Sequence, residues 1–232
     1  MQGTGRPVVA RNPLRCMVLP LTLLLTPAAA SANPGFEDRC ASLVAETKVS
    51  VVFEDKPAAR DDSRSLTELK GLSGSGPNAH HNVLGLTHAL PSARLDVIPH
   101  MLADETGRTC VVPSLNLKLG LSEFQVYLAR ELKDPCRRRI VEEHENEHAN
   151  VWRNHLRAGA RLLESALRGG LAKPIYFRSR EEVRSDLRHR IDELVNPLLQ
   201  KLKDGVVVAN RQIDSPASYQ FEENRMRACP PF

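Results

Sequence analysis

The spacing of apolar side chains divides the chain into two halves with different periods. In the first half apolar and polar residues alternate, most clearly in Phe124–Arg130, which is typical of a strand with one buried face. From Asp134 onward apolar residues recur every three or four positions, which is typical of amphipathic helices. Strands followed by helices predict an α+β domain.

The strand half, residues 33–133, is predicted to be mainly strand and loop. Residues 55–80 contain Pro57 and a Gly-Ser run, and we predict a loop there with one helical turn at Leu66–Leu69. The segments that we predict to be strands are Lys48–Glu54, His81–Thr87, Ala93–Ile98, Cys110–Val112, Leu115–Leu119 and Phe124–Arg130.

The helical half, residues 134–232, predicts two long helices. The first begins at Asp134-Pro135, where Asp caps the helix and Pro suits its first turn, and it ends at Gly169-Gly170. The second begins with the capping box Ser179–Glu182 and contains Pro197, where we expect a kink.

The second helix is predicted to end at Asp204-Gly205, before a short strand at Val206–Val208 and a polar tail. The predicted fold is therefore α+β, with a short twisted sheet packed on two long C-terminal helices. We expect one domain over residues 33–232.

Composition changes this picture mainly at the N-terminus. A basic stretch with Arg6, Arg11 and Arg15 precedes the apolar run Met17–Ala30 and the small-residue site Ala30-Ser31-Ala32. That order is typical of a secretory signal peptide, and the run is too short and too interrupted for a membrane span. We predict a signal peptide at residues 1–32, export from a bacterial cell to the periplasm or beyond, and no membrane anchor after cleavage.

The same segment explains the formal charge of +4. It contains three of the 32 basic residues and none of the 28 acidic residues, so the remaining 200 residues carry a net charge of +1. Aromatic residues make up only 4% of the chain. Because nucleic-acid binding relies on basic patches and stacking aromatics, we expect no nucleic-acid partner.

Four cysteines follow the predicted signal peptide: Cys40, Cys110, Cys136 and Cys229. An even number in an exported chain predicts two disulfides, which allows three pairings. We favour Cys110–Cys136, which would close a strand-to-helix unit, and Cys40–Cys229, which would join the termini.

Five residues of the first helix carry the candidate chemistry: His144-Glu145-Asn146-Glu147-His148. Two histidines four positions apart share one helix face, so both imidazoles can bind one zinc ion. They also lie on the apolar stripe of the helix, which indicates that they point inward. Glu145 is free to act as a general base toward water activated by the metal.

This pentapeptide resembles the His-Glu-x-x-His signature of the zincin metallopeptidases. With the preceding strand and the predicted export, the chain also resembles predicted secreted zinc proteases of bacteria, whose function is unknown. The resemblance implies one zinc ion per chain, a peptide or protein substrate, and Phe124–Arg130 as the edge strand that pairs with extended substrate.

Two variants of this signature can be compared with the sequence. The inverted pattern His-x-x-Glu-His is also satisfied and would make Glu147 the base, although the forward motif favours Glu145. The elongated metzincin signature requires Gly and His where Val151 and Asn154 stand, so the chain departs from that subgroup.

The third zinc ligand is less well defined by the sequence. His155 is too far along the helix, and an antiparallel second helix would place residues near 199 opposite His148, about 9 Å beyond Glu193. The remaining candidates lie in the C-terminal tail, namely Asp214, Tyr219, Glu222 and Glu223. We predict Asp214 as the third ligand and Glu193 as the second choice, with Tyr219 as a hydrogen-bond donor to the developing oxyanion.

These observations predict an exported zinc metallopeptidase that hydrolyses peptide bonds. The alternative is a non-catalytic envelope protein, a binding or assembly module whose histidine pair is structural.

Overall fold

The computed structural model describes residues 35–74 and 83–231, and the predicted signal peptide lies outside these ranges. The strands within them are β1 (Val49–Phe53), β2 (Ala59–Asp61), β3 (Gly85–Ala103), β4 (Thr109–Leu128) and β5 (Ile175–Phe177). The helices are α1 (Phe36–Glu46), α2 (Leu66–Leu72), α3 (Pro135–Gly170), α4 (Arg180–Ile213) and α5 (Pro216–Arg227). The α+β prediction is confirmed as far as a mixed fold of helices and strands, and Pro34–Phe232 form one compact unit.

The sheet is built around β4. Strand β3 pairs with it antiparallel along its whole length, from Thr109 to Leu128. Because a strand has only two hydrogen-bonding edges, the other edge of β4 holds three short strands in succession. These are β5, antiparallel, followed by β1 and β2, both parallel to β4.

Two predictions are wrong because β4 is one continuous central strand: the division of its residues into three strands, and the assignment of Phe124–Arg130 to an edge. The three segments predicted between Cys110 and Arg130 form one strand, β4, which continues through Pro113 and Gly120. Phe124–Arg130, as far as Leu128, therefore belongs to the central strand rather than to an edge strand. In the described part of the chain, β3 pairs only with β4, so its other edge has no strand partner; the same holds for the outer edges of β1, β2 and β5.

The main hydrophobic core lies between the sheet and the pair α3–α4. Leu115, Leu117 and Leu119 alternate along β4 and are buried against the helices. Leu163 and Leu167 of α3 and several apolar residues of α4 complete this core, namely Val183, Leu187, Ile191 and Val195. Burial of each such side chain contributes about 1.5–3 kcal/mol, so the core fixes α3 relative to the sheet.

Small residues bring α3 and α4 close together in antiparallel orientation. A methyl group at Gly159 would lie 2.3 Å from Leu202 Cδ1, and one at Gly205 would lie 2.6 Å from His155 Nε2. His155 thus packs between the helices. These contacts set the register that determines which residues of α4 face the histidine motif of α3.

The C-terminal prediction is wrong at two points. Val206–Val208 lies within α4, because Gly205 and the fully buried Val206 continue its packed face and override the β-propensity of the valines. The polar tail forms helix α5, which begins at Ser215-Pro216, where the Ser215 side chain accepts a hydrogen bond from the Ser218 amide.

The predicted disulfide pairing is also wrong. The bonds join Cys40 to Cys110 and Cys136 to Cys229, with Cα atoms 6.1 and 5.8 Å apart. Cys110 is the second residue of the 20-residue strand β4, and Cys136 lies beyond the other end of that strand. A strand rises about 3.3 Å per residue. The two cysteines therefore lie too far apart to bond. Helix α1 is joined instead to the start of β4, and the end of α5 to the start of α3.

None of the helices in the described ranges is long and apolar enough to cross a membrane.

Replacement of Gly159 by Ala should destabilise the protein, although the intrinsic helix propensity of Ala is about 1 kcal/mol more favourable than that of Gly. The new methyl group would overlap Leu202, and such overpacking costs about 1–3 kcal/mol. Gly169→Ala is the matched control, because no atom lies within 4 Å of its added methyl group. Thermal unfolding should show a lower Tm for Gly159→Ala only; equal Tm values in the two variants would contradict the close contact.

Candidate metal centre

Helix α3 presents both motif histidines on its buried face. Asp134 caps its N-terminus by accepting a hydrogen bond from the Arg137 amide, and the helix then runs uninterrupted through His144 and His148. Both imidazoles are only 8% exposed, and their rings meet edge to face with centroids 4.8 Å apart. The predicted inward orientation of the motif histidines agrees with this burial.

Helix α4 brings the opposing groups to the same place. Asn210 and Asp214 are four residues apart at the C-terminal end of α4, as the two histidines are in α3. In the antiparallel pair Asn210 contacts His148, and Asp214 contacts both histidines. The two histidines of α3 therefore face Asn210 and Asp214 of α4, and the members of each pair are one helical turn apart.

Three potential ligand atoms converge between the helices. His144 Nε2 lies 3.1 Å from His148 Nε2 and 3.4 Å from Asp214 Oδ1, and His148 Nε2 lies 3.2 Å from the same oxygen. Ligands about 2.1 Å from a tetrahedral zinc ion are about 3.4 Å apart. The three residues can thus hold a metal ion, and their separations fit zinc.

The other ring nitrogens are held by hydrogen-bond acceptors. His144 Nδ1 lies 2.5 Å from Glu222 Oε1, and His148 Nδ1 lies 2.8 Å from Asn210 Oδ1. The Asn210 amide nitrogen donates to the Val206 carbonyl at 2.9 Å, which orients its oxygen toward His148. Donation from both Nδ1 atoms leaves the two Nε2 lone pairs free for a cation, as in metal sites with ordered outer partners.

Charge in this cluster strongly perturbs protonation. Burial alone would lower the pKa of His144, but the hydrogen bond to Asp214 and the nearby charges of Glu145 and Glu222 outweigh it and raise the pKa to about 9. Burial likewise opposes the protonation of His148, whose pKa is raised by Asp214 and Asn210. The cluster therefore favours positive charge at its centre, supplied by protons or by a metal ion.

The carboxyl of Asp214 responds in the opposite sense. Its partial burial would raise the pKa, but hydrogen bonds from His144, His148 and Tyr219 lower it well below its usual range. Asp214 is consequently an anion at neutral pH. Its side chain is 43% exposed, whereas those of His144 and His148 are 8% and 10% exposed.

Tyr219 of α5 lies beside the ligand cluster. Its hydroxyl donates a 2.8 Å hydrogen bond to Asp214 Oδ1, and its ring stacks on His144 with centroids 5.9 Å apart. Partial burial and the Asp214 carboxylate raise the pKa of the phenol. Tyr219 therefore remains a hydrogen-bond donor at neutral pH.

Glu145 is the buried carboxyl group next to the cluster. It is 5% exposed, and Thr87 Oγ1 of β3 donates to its Oε2 at 2.8 Å. Burial raises the pKa of Glu145, although the Thr87 hydrogen bond and the two histidines partly offset this. Glu147, by contrast, is exposed.

The structure places Glu193 away from the cluster. It is exposed on α4, where Oε1 lies 3.2 Å from His189 Nε2. The antiparallel register differs from the expected one, since Asn210 rather than a residue near 199 lies opposite His148. Residues 171–179 connect the two helices and include β5, which pairs with β4, so the chain follows the sheet here rather than making a tight helical turn.

A second group of potential metal ligands consists of Asp134, Cys136 and Cys229. Its two sulfur atoms form a disulfide and Asp134 caps α3, so these residues are already committed to the fold.

Sequence reasoning missed the role of Asn210 and considered Glu222 only as a possible metal ligand. The helix-start signal Ser215-Pro216 could have identified α5. Asn210 carries no comparable local signal, since it follows a valine run that was interpreted as a strand.

Comparison of the chain with protein-family models, curated proteins and solved structures gives no match.

Metal-free protein should lose stability as the pH rises from about 6.5 to about 9. The pKa of His144 is about 9 in the folded protein, whereas 6.5 is the value for the unfolded chain, where these contacts are absent. Protonation of His144 therefore stabilises the folded state fully below pH 6.5, and this contribution is lost as the pH rises through 9. Urea unfolding of chelator-treated protein measures this difference. His144→Gln should flatten the dependence, and an unchanged slope in that variant would contradict the assignment.

Loss of the Cys136–Cys229 bond should weaken zinc binding selectively. This bond anchors α5, which supplies Glu222 to His144, and loss of such outer partners costs about 10–100-fold in metal affinity. We expect that loss in Cys136→Ser/Cys229→Ser when zinc binding is measured by calorimetry.

The double variant Cys40→Ser/Cys110→Ser is the matched control. The two bonds span 70 and 93 residues, so each variant loses roughly 4–5 kcal/mol of stability in the chain-entropy model. The control should bind zinc as the wild type does; equal affinities in both double variants would contradict a specific role of α5.

Proposed function

We propose that this protein is an exported zinc-dependent peptidase of the zincin class, with His144, His148 and Asp214 as zinc ligands and Glu145 as general base. The observation that carries the proposal is the convergence of the three ligand atoms at 3.1–3.4 Å. The nearby buried carboxyl of Glu145 supplies the group that hydrolysis needs in addition.

A catalytic role is favoured over a structural one by the accessibility of the centre. Structural zinc sites are closed by four protein ligands, whereas catalytic sites have three and keep one position open. Here three side chains converge, and the exposed part of Asp214 adjoins solvent. The alternative, a non-catalytic envelope module, requires neither an open fourth position nor a buried carboxyl that is not a ligand.

The proposed chemistry divides the work among these residues. Bound zinc would supply Lewis acidity, which polarises a peptide carbonyl and acidifies water. Glu145 would accept the proton of the attacking water and return it to the departing amine. Its burial favours this exchange, because a raised pKa allows the carboxyl group to hold the proton between the two steps.

Tyr219 would assist as the oxyanion forms. Its hydroxyl is already fixed beside the cluster by Asp214, so a small rotation would redirect it to the developing charge. Glu147 is exposed and contributes no such contact, which favours the forward motif with Glu145 as the base.

The unpaired edge of β3 is the proposed location of the peptide substrate. Gly85 and Thr87 at the start of β3 lie against Glu145. An extended peptide could add to this edge by main-chain hydrogen bonds, in the role that the zincin resemblance implies for Phe124–Arg130.

Export is proposed from the cysteine chemistry. Both disulfides join distant segments, and such bonds persist in oxidising compartments. The predicted signal peptide at residues 1–32 supports the same location, in the periplasm or outside the cell.

Glu145→Gln should abolish hydrolysis while zinc binding is retained. The amide occupies the same volume but cannot accept the proton, and we expect activity to fall by about 100-fold or more. Zinc content is measured by atomic emission, and activity with labelled casein and a mixed peptide library. Glu147→Gln is the matched control and should remain active.

The outcomes separate the two candidate functions. One zinc per chain together with hydrolysis that requires Glu145 supports the peptidase. Bound zinc without hydrolysis of either substrate by the wild type would instead favour the non-catalytic module. Full activity of Glu145→Gln would overturn the assigned base.

A further inference from the structure

We propose that Thr87 is a positioning residue that orients the Glu145 carboxyl group, with Gly85 providing the space that this orientation requires. The inference rests on the proposed function. It concerns β3, a strand that the His-Glu-x-x-His motif does not include, and it assigns to β3 a role beyond the edge pairing described above.

Thr87 contacts Glu145 at two atoms. Its hydroxyl oxygen lies 2.8 Å from the carboxylate Oε2 and 2.9 Å from the backbone carbonyl oxygen of the same residue. Because a hydroxyl group has a single hydrogen, the two oxygens share it, and the carboxylate is held beside the carbonyl of its own residue. They leave Oε1 as the carboxylate oxygen that is not engaged by Thr87.

Gly85 removes the obstacle to this arrangement. A methyl group there would lie 2.7 Å from Cγ and from Oε1 of Glu145, and 2.7 Å from Val141 Cγ1. Any side chain at position 85 would displace the carboxyl group or the helix. Gly85 thus lets the start of β3 pass directly against Glu145.

The sheet holds both residues in place. Gly85 pairs with Leu128 and Thr87 with Val126 in the β3–β4 ladder, so the Thr87 hydroxyl projects from a hydrogen-bonded strand rather than from a mobile loop. Because α3 is fixed on the same sheet by the core, the distance from Thr87 to Glu145 is set by rigid elements.

Orientation matters for this group because glutamate has three rotatable side-chain bonds. A general base must approach the proton that it removes within about 2.6–3.2 Å, and a misplacement of about 1 Å can cost about 100-fold in rate. The Thr87 hydrogen bond selects one carboxylate orientation in the free protein, so that this ordering is not required during the reaction.

The test compares Thr87→Val with Thr87→Ser. Valine has the shape of threonine without the hydroxyl, and we expect kcat to fall about 10–100-fold while KM and zinc content stay unchanged. Serine restores the hydroxyl and should recover kcat to within about threefold of the wild type. Labelled casein is the substrate, and bound zinc is measured by atomic emission.

Ser185→Ala is the control outside β3. Ser185 is exposed on α4, and loss of its hydroxyl should change neither kcat nor KM. Circular dichroism and the presence of both disulfides establish that each variant is folded. If Thr87→Val fails to fold, Thr87→Ala takes its place and is judged by the same rescue with serine.

Each result bears on the inference separately from the proposed function. Wild-type hydrolysis with an unchanged kcat in Thr87→Val overturns the role of Thr87 and leaves the peptidase standing. Equal losses in the valine and serine variants, or an effect on KM alone, also overturn it. Zinc binding by a wild type that does not hydrolyse casein or the peptide library overturns the peptidase and this inference with it.

Discussion

The arrangement depends on one electrostatic constraint: three atoms that carry lone pairs are held within 3.4 Å of one another. Since Glu222 and Asn210 engage the outer nitrogens of His144 and His148, the inner nitrogens face Asp214 without a hydrogen atom between them in the metal-binding state. Such a cluster is stable only when positive charge lies at its centre. A metal ion satisfies all three atoms at once.

The fold produces this convergence by packing two helices at a fixed register. Gly159 and Gly205 allow α3 and α4 to approach closely, and the sheet beneath prevents α3 from rotating away. One turn of α3 then meets one turn of α4. Helix α5 adds Glu222 and Tyr219 from outside. All residues of α5 are described, and none of them is buried. The position of α5 therefore depends on polar contacts, on the partly buried Met226 and on the Cys136–Cys229 disulfide.

The sequence predicts local features of this centre well and non-local ones poorly. The caps of α3 and the four-residue spacing of its histidines are contained within one helix, so periodicity suffices to find them. The position of Asn210 depends on the path of the connection before α4, which includes β5, and on the packing of Val206. Both are properties of the assembled core. The predicted disulfide pairing is wrong for a related reason, because the correct pairing follows from β4 being a single long strand.

The distribution of these groups along the chain has a consequence for biogenesis. His144 and His148 are separated from Asp214 by 70 and 66 residues. A chain that emerges from its amino end therefore cannot bring the three candidate ligands together until Asp214 has appeared. Assembly of the candidate centre is thereby delayed until α4 and α5 have docked on α3.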